Sequence, residues 1–352
     1  MKILIIQQKM IGDVLTSSIL FEAIKLKYPG AETHYAINSH THAVVKNNPY
    51  IDRFQFVSPE IENSKRQLYI FSKHLKEEQF DVVIDAYSKT SSNIMSWFTK
   101  ASTRISKYKY YTAFIYTHTY KDKKKAETNA GLAIENRLQL LKPLNIEVPK
   151  NIRPKIHLTE LEKNLALNLL ESASINLDQP LYMISVIGSC TTKTYPAVYM
   201  ANLINTLVSE KEETQILFNY IPKQKSDAKY IYDLCNPSAQ KQIYFDVFGE
   251  TLRDFLAITY HCDALIGNEG GAINMAKALN VPTFTIFSPW IKKEAWSLFE
   301  DDKKNVSVHL NDFQTEFFEG KSTKELKANW KSLYQKFLPE YFTNKLKQFI
   351  KQ

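Results

Sequence analysis

Apolar and polar positions alternate in a way that predicts strands and helices following one another along the chain. The opening run, Ile3–Ile6, is apolar at every position, which is typical of a strand buried on both faces of a parallel sheet. Helix-period and strand-like segments then follow in turn until prolines at 143, 149 and 154 interrupt the pattern. After these prolines the alternation resumes. Further strands are predicted at 33–37, 54–57, 80–84, 103–106, 113–116, 182–187, 215–218 and 242–245.

The strongest of these patterns lies between residues 263 and 289. A strand (264–266), a turn with Gly267, Gly270 and Gly271, a helix (272–279) and a second strand (283–287) are predicted there. Such a turn presents backbone N–H groups and the positive end of a helix dipole, which can bind phosphate. An ordinary tight turn between strand and helix is the alternative.

The pattern predicts an α/β protein with two doubly wound, Rossmann-like domains that face a central cleft. The expected boundaries are 1–150 for the N-terminal domain and 151–322 for the C-terminal domain. The helices predicted in 323–352 are expected to pack back on the N-terminal domain.

The net charge of +8 favours an anionic partner. Much of the excess lies between Lys100 and Lys125, where a solvated loop is the alternative to a binding surface. No nucleic-acid-binding module is recognisable, so nucleic acid is not expected as a partner. The N-terminus lacks the features of a signal peptide and the three cysteines are far apart, so a cytoplasmic location is expected.

Three predicted loops carry candidate chemistry. Asp13 follows the first strand, where it could cap a helix or act as a general base. The segment GSCTTKTYP offers hydroxyl groups and Lys193 to a phosphate, although a polar turn would look the same. In the third loop, Asn268 and Glu269 are suited to binding sugar hydroxyls. No metal-ligand spacing is present, so phosphate charge is expected to be neutralised by Lys193 and backbone amides.

Three segments together resemble glycosyltransferase family 9, which includes the lipopolysaccharide heptosyltransferases. The first is IGDVLTSSILFEAIKLKYPGAETHYAI, with a Gly-Asp pair before a helix. The second is TTKTYP, which is similar to a Thr/Ser-rich segment that ends in Lys and an aromatic-Pro pair. The third is IGNEGGAINMAKALNVPTFTIFSP, which resembles the pattern Asp-Thr-Gly-x-x-His-x-A-x-A-L-x-x-P-x-x-x-x-F-x-P.

The resemblance implies a GT-B fold and inverting, metal-independent transfer of a sugar from a nucleotide-diphosphate donor to a glycolipid acceptor such as a lipopolysaccharide core. Asp13 would be the catalytic base, Lys193 would stabilise the phosphates, and Gly270 would be the glycine at the helix start. No cofactor is implied, and ADP is a candidate nucleotide of the donor. The donor-binding residues expected are Gly12, Ser189, Thr191, Thr192, Asn268, Glu269, Gly270 and Gly271.

The basic stretch is then expected to bind a phosphorylated acceptor at the cytoplasmic face of the inner membrane, through Lys100, Arg104, Lys107 and Lys109. In the third segment, Asn268-Glu269 stand where the pattern has Asp-Thr, and Ile273 where it has His. Two alternatives stay open: a nucleotide-sugar epimerase or hydrolase of the same fold, and, because of these differences, a non-catalytic protein that binds nucleotide sugars.

Overall fold

The computed structural model describes residues 1–149, 151–211 and 213–351. Its internal contacts divide the chain into two compact units, Met1–His157 and Leu158–Gln352. The boundary predicted from the sequence falls on Lys150, which lies outside the described residues. Across the described ranges, no helix has both the length and the apolar content needed to cross a bilayer.

The first unit contains a six-stranded parallel sheet. Its strands are β1 (Lys2–Ile6), β2 (Glu32–Asn38), β3 (Arg53–Val57), β4 (Val82–Asp85), β5 (Thr103–Lys107) and β6 (His118–Tyr120). They are ordered β3-β2-β1-β4-β5-β6, so the order reverses between β1 and β4. At such a reversal the loops that leave the two central strands diverge, and ligands bind between them at the carboxyl edge of the sheet.

Helices connect these strands as parallel pairing requires. They are α1 (Ile11–Ser17), α2 (Ile19–Lys27), α3 (Pro59–Asn63), α4 (Lys65–Glu77), α5 (Thr90–Thr99) and α6 (Leu132–Leu138). The start of α4 follows from its sequence, because the Ser64 side chain accepts a hydrogen bond from the backbone N–H of Gln67.

The second unit contains a five-stranded parallel sheet. Its strands are β7 (Leu181–Ser185), β8 (Gln215–Phe218), β9 (Ala264–Asn268), β10 (Thr283–Ile286) and β11 (Asn305–Val308). The order is β11-β10-β9-β7-β8, which reverses between β7 and β9. The prediction of a strand at 242–245 is wrong. Ile243 forms only an isolated bridge to Ile216 of β8.

Ten helices are described in the second unit. They are α7 (Glu160–Ser172), α8 (Ala197–Glu210), α9 (Lys225–Leu234), α10 (Pro237–Gln242), α11 (Leu252–Tyr260), α12 (Gly271–Ala278), α13 (Lys293–Trp296), α14 (Thr323–Ala328), α15 (Trp330–Lys336) and α16 (Thr343–Ile350). The short helix of residues 191–193, of the 3₁₀ type, carries Lys193.

The C-terminal helices belong to the core of the second unit. Tyr334, Phe337 and Phe342 are buried in one cluster with Tyr195 and Phe284. This packing differs from the expectation that residues 323–352 would return to the N-terminal domain. Aromatic spacing predicts a buried face, but it does not specify which surface covers that face.

Two elements of the first unit also differ from the sequence-based expectation. The predicted strand at 113–116 is a 3₁₀ turn, Ala113–Ile115, and the neighbouring strand is β6 instead. Helix α5 was not predicted, because TSSNIMSWFT is rich in hydroxyl side chains that disfavour helix interiors. Burial of Met95 in the hydrophobic core, with Ile94 packed against that core, compensates for this low propensity. The α/β class with two parallel sheets is confirmed.

Candidate active site

Asp13 lies at the carboxyl edge of the first sheet, in the helix that follows β1. The side chain does not cap this helix, because the N-cap residue is Met10 and Asp13 is the third helical residue. Its Oδ1 instead accepts a hydrogen bond from Nη2 of Arg137 at 2.6 Å. The side chain is 31% exposed, and no described residue donates to Oδ2. Asp13 is therefore an oriented carboxylate with one oxygen available to a proton.

Arg137, on α6, fixes this orientation. Its Nε donates to the hydroxyl of Ser17 and its Nη1 to the carbonyl of Ala133, both at 2.8 Å. These bonds and the ion pair compensate for burying the guanidinium. Arg137 was not predicted as a site residue, because long basic side chains commonly reach from apolar helices to solvent. The sequence gives little signal for it, because Arg137 stands in LAIENRLQLL next to other polar residues, Glu135, Asn136 and Gln139.

Lys107 and Lys109 lie at the same edge of the first sheet as Asp13. Lys107 ends β5, and burial lowers the pKa of its ammonium group, while the charges of Asp122 and Asp13 act in the opposite direction. Lys109 donates from Nζ to the carbonyl of Ser88, in the loop that follows β4. Two of the four predicted acceptor-binding cations are thus close to the carboxyl edge.

The other two cations lie at the opposite edge. Lys100 precedes β5 and Arg104 is its second residue, so both lie toward the amino end of a parallel strand. The Nζ of Lys100 is 4.6 Å from the centre of the Trp97 ring. Arg104 donates from Nε to the carbonyl of Ile115 at 2.7 Å. The structure therefore does not bring the four predicted residues together, because neighbours in sequence around one strand reach both of its ends.

In the second unit, the loop of residues 188–195, here called the Gly188 loop, follows β7. Its shape is fixed internally by the Thr194 hydroxyl, which donates to the carbonyl of Cys190 at 3.0 Å and accepts from the N–H of Gly188 at 3.1 Å. A side chain at position 188 would collide with the carbonyl of Lys193. Ser189 and Thr191 are exposed at the surface of this folded loop, and Thr192 is half-buried.

Lys193 reaches across to the residue that follows β9. Its Nζ lies 3.0 Å from Oε1 of Glu269. The Glu269 side chain is only 9% exposed, whereas that of Lys193 is 24% exposed. Lys193 and Glu269 were predicted separately as phosphate and sugar ligands, and the structure joins them in an ion pair.

Asn268 connects the Gly188 loop to the sheet. Its Oδ1 accepts from the backbone N–H of Tyr195 at 2.7 Å, and its Nδ2 donates to the carbonyl of Ser185 at 2.8 Å. The residue is 1% exposed. The prediction that Asn268 binds a sugar is therefore contradicted by its geometry: both polar atoms are engaged in holding β9, β7 and the loop together.

Helix α12 begins beside this loop. Gly270 is its N-cap residue and has φ +151°, and Gly271 is the first helical residue. A methyl group placed on Gly270 would have no atom within 4 Å, so the backbone there faces open space. The first N–H groups of the helix and its dipole are therefore accessible to an anion.

A cavity of about 290 Å³ lies next to the start of α12. Its walls include Phe218 at the end of β8, Tyr220 just after that strand, Phe248 from the loop before α11, and Met275 from α12. Aromatic side chains next to a turn that can bind phosphate form a suitable pocket for the heteroaromatic base of a nucleotide. None of these residues was predicted, because aromatic residues after a strand are common in protein cores.

The chain matches known proteins over most of its length. The sequence profile described as glycosyltransferase family 9 (heptosyltransferase) matches residues 68–326. The chain belongs to glycosyltransferase family 9. As a family 9 chain it has the GT-B type of fold and is a glycosyltransferase, so the predictions of fold and enzyme class are confirmed.

Individual relatives of this family 9 chain are distant. It is 23% identical over 294 residues to lipopolysaccharide heptosyltransferase 1 of Campylobacter coli, covering 82% of this chain and 84% of that protein. A family 9 glycosyltransferase from Veillonella parvula superimposes with a TM-score of 0.75 at 15% identity, covering 95% and 97% of the two chains. An E. coli heptosyltransferase solved with ADP-2-deoxy-2-fluoro heptose has a TM-score of 0.65 at 15% identity, covering 96% and 99%.

The register of the family 9 pattern given above is shifted by one residue from a gap-free alignment. Counted back from Pro289 without a gap, the pattern sets Glu269 at the Asp position, Gly271 at the glycine and Asn274 at the histidine. Gly271 is indeed the first residue of α12. Ile273, first aligned with the histidine, is buried. Ile273 and Asn274 both line a small cavity with Glu269, and of these two only Asn274 brings a polar side chain to it. An acid is thus retained where the pattern has one.

The predicted donor residues of this family 9 enzyme come from both units. Gly12 is in α1 of the first unit, and its carbonyl accepts from the Thr16 hydroxyl at 2.6 Å. All the others lie in the second unit, in the Gly188 loop or between the end of β9 and the start of α12. Within the described ranges, no three His, Cys, Asp or Glu side chains are grouped as metal ligands.

Proposed function

We propose that this enzyme transfers a sugar from a nucleotide-diphosphate donor to a glycolipid acceptor of the lipopolysaccharide-core type. The observation that carries the proposal is the second unit's arrangement of Lys193, Glu269 and the open N-terminus of α12 at the reversal of its strand order. Membership in a family described by heptosyltransferase activity supports a heptose or a similar sugar. The C. coli relative, named for action on lipopolysaccharide, supports the acceptor class.

The donor binds in three parts. The amides of Gly270 and Gly271 and the ammonium of Lys193 receive the diphosphate, because each presents positive charge. The base enters the cavity walled by Phe218 and Tyr220. Glu269 accepts hydrogen bonds from sugar hydroxyls, as a carboxylate does well. ADP is the first nucleotide to test, since an E. coli heptosyltransferase of the same fold was solved with an ADP-linked sugar.

Transfer proceeds as a single displacement. The acceptor hydroxyl oxygen forms a bond to the anomeric carbon as the bond from that carbon to the phosphate oxygen breaks. The hydroxyl proton passes to Oδ2 of Asp13, and the bonding electrons leave with the diphosphate. Attack opposite the leaving group inverts the anomeric configuration. Lys193 and the helix N-terminus stabilise the leaving charge, so the proposed step needs no metal ion.

The first unit binds the acceptor. Lys107 and Lys109 bring positive charge to the edge that carries Asp13, which suits a phosphorylated glycolipid. Nearby, Tyr110 and Phe114 are 83% and 74% exposed. Exposed aromatic rings among lysines are suited to the headgroup region of an anionic bilayer. We accordingly propose a cytoplasmic enzyme that contacts the inner-membrane surface.

A donor panel followed by a transfer assay tests the proposal. Thermal unfolding is measured with ADP, UDP, GDP and CMP, and then with the matching sugar nucleotides and a lipopolysaccharide-core acceptor. We expect one nucleotide to stabilise the chain and its sugar derivative to be consumed only when acceptor is present. An anomeric configuration in the product opposite to that of the donor supports inversion.

Consumption of the sugar nucleotide without acceptor would favour an epimerase or hydrolase instead. Stabilisation by a sugar nucleotide without turnover under any acceptor condition would favour a binding protein. If no nucleotide raises the unfolding temperature at concentrations far above ordinary substrate levels, the proposed donor site is wrong.

A further inference from the structure

Trp290 supports the backbone that carries Lys193. Its indole N–H donates to the carbonyl of Thr192 at 2.8 Å, and the hydroxyl of Ser288 donates to the same oxygen at 2.8 Å. Two donors on one carbonyl fix the residue immediately before Lys193. The segment that follows β10 therefore determines where the Lys193 side chain starts.

The Trp290 ring also lies against two ammonium groups. The Nζ of Lys193 is 5.7 Å from the ring centre, and the Nζ of Lys327 is 4.7 Å from it. Both distances lie within the range of cation–π attraction. The two nitrogens are separated by no more than these two distances together, so a second cation from α14 lies close to the proposed phosphate site.

The local charges leave this second cation available. Glu269 neutralises Lys193 at 3.0 Å. Lys327 is exposed, and in the described part of the chain no carboxylate pairs with it. A diphosphate carries more than one negative charge, so Lys193 already paired with Glu269 would balance it poorly. A second free ammonium on the same ring supplies the missing charge.

The helices around Lys327 are anchored to the last residue of the Gly188 loop and to α8. The Tyr195 hydroxyl donates to the carbonyl of Phe337 at 2.7 Å, and the Tyr199 hydroxyl donates to that of Gln335 at 3.1 Å. Both acceptors lie at the end of α15, which follows α14 after a single residue. Lys327 therefore projects from a helix pair whose position is tied to the Gly188 loop.

We propose that Lys327 is a second donor-phosphate-binding residue and that Trp290 is a positioning residue for both lysines. This inference rests on the proposed function, because it assigns Lys327 to the diphosphate of the same donor. The expected ligand is a diphosphate rather than a monophosphate, because each of the two separated ammonium groups can bind one phosphoryl group.

Calorimetric titration of the full chain with inorganic pyrophosphate tests the role of Lys327. We expect Lys327→Gln to weaken pyrophosphate binding roughly 2- to 5-fold, as for one exposed ion pair. Lys327→Arg should restore most of it. Lys331→Gln is the matched control, because Lys331 is exposed and its Nζ lies 5.6 Å from a different ring, that of Trp330. Inorganic phosphate should bind all four proteins with similar affinity.

The outcomes separate this inference from the proposed function. If wild type binds pyrophosphate and Lys193→Gln weakens it but Lys327→Gln does not, the donor site stands and the role of Lys327 is wrong. An equal loss with Lys331→Gln would also overturn it, since general surface charge would then explain the effect. If wild type does not bind pyrophosphate, both the donor site and this inference fail.

A double-mutant cycle tests Trp290. Trp290→Leu removes the indole N–H and the ring, so we expect weaker pyrophosphate binding. Lys327→Gln should then cause little further loss in the Trp290→Leu background, because the ammonium is no longer held beside Lys193. Fully additive losses would contradict a positioning role. The unfolding temperature of each variant is measured alongside as a check on folding.

Discussion

The guanidinium of Arg137 lies 2.6 Å from the carboxylate of Asp13, although 124 residues separate them in the chain. The pair is asymmetric: the Arg137 side chain is 7% exposed and that of Asp13 is 31% exposed. The buried member orients the exposed member. A general base must be held in a fixed orientation if it is to accept the proton of one particular hydroxyl group of the acceptor.

Substitution of Asp13 tests its role as the base. We expect Asp13→Asn to lower the rate of sugar transfer by about 10²- to 10⁴-fold while nucleotide binding is retained. Steady-state rates and nucleotide titrations are compared for the same preparation. Asp233→Asn, in an exposed pair with Lys229, should leave the rate unchanged. A rate for Asp13→Asn within a few-fold of wild type would remove Asp13 from the mechanism.

Arg137 should matter to both folding and transfer. Arg137→Gln removes the ion pair and leaves Asp13 without its partner, so we expect a loss of about 1–3 kcal/mol in the free energy of unfolding. Arg137→Lys should recover part of the stability but less of the transfer rate, because an ammonium group cannot reproduce the three-way geometry. Chemical denaturation and transfer assays check this. Equal recovery of both quantities would show that charge alone is needed.

Asn268 should control donor binding without contacting the donor. Asn268→Ala frees the backbone N–H of Tyr195 and the carbonyl of Ser185, which loosens the Gly188 loop. We expect nucleotide affinity to fall roughly 10-fold and stability to fall by about 1–3 kcal/mol. Asn202, which is exposed on α8, is the comparison, since Asn202→Ala leaves both of these hydrogen bonds intact. Unchanged affinity in Asn268→Ala would mean that the loop holds its shape without this link.

Gly267 is required by the close approach of β9 to β7. Its φ is +128°, and an added methyl group would lie 2.5 Å from the carbonyl oxygen of Ser185. We expect Gly267→Ala to cost at least about 1–3 kcal/mol of unfolding free energy. Gly30→Ala is the control, because nothing lies within 4 Å of a methyl group there. Similar denaturation midpoints for the two variants would refute this account.

Glu162 makes part of the stability pH-dependent. The pKa of the Glu162 carboxyl is lowered from 4.5 to about 2. Hydrogen bonds from Arg253 contribute most to this shift, and the hydrogen bond from the N–H of Thr159 contributes less. A carboxyl that is more acidic when folded stabilises the protein above its unfolded pKa. This contribution is lost as the pH falls from about 4.5 to about 2.

The pH dependence is measured against Glu162→Gln. We expect wild type to exceed this variant by about 1–3 kcal/mol in unfolding free energy at pH 7, and the difference to shrink steadily below pH 4.5. Glu171→Gln, an exposed substitution in the same helix, should show no such trend. A difference that stays constant down to pH 3 would exclude Glu162 as the source.

The parallel sheets could be predicted because short apolar runs such as Ile3–Ile6, bounded by polar residues, are typical of buried strands. The sequence also located the Gly188 loop and the start of α12, since strand ends and glycines fix loops at the carboxyl edge. Helix α5 escaped prediction because its stability comes from burial rather than from propensity.

The roles of single side chains were harder to predict. Asn268 has the chemistry of a sugar ligand, yet its direction is set by neighbours 83 and 73 residues away. Arg137 was missed for the same reason, since its partner lies in another helix. Lys100 and Arg104 were grouped with Lys107 by charge, and only the strand direction separates them.

Phe342 and Phe349 are buried in the same core cluster as Tyr195, so the last helices support the loop that carries Lys193. A late frameshift or a short C-terminal deletion would expose the aromatic cluster around Tyr195 and release the loop that carries Lys193. Such lesions should behave as null alleles, even though they leave the first 320 residues intact. For the same reason, affinity tags are better joined to the other end of the chain.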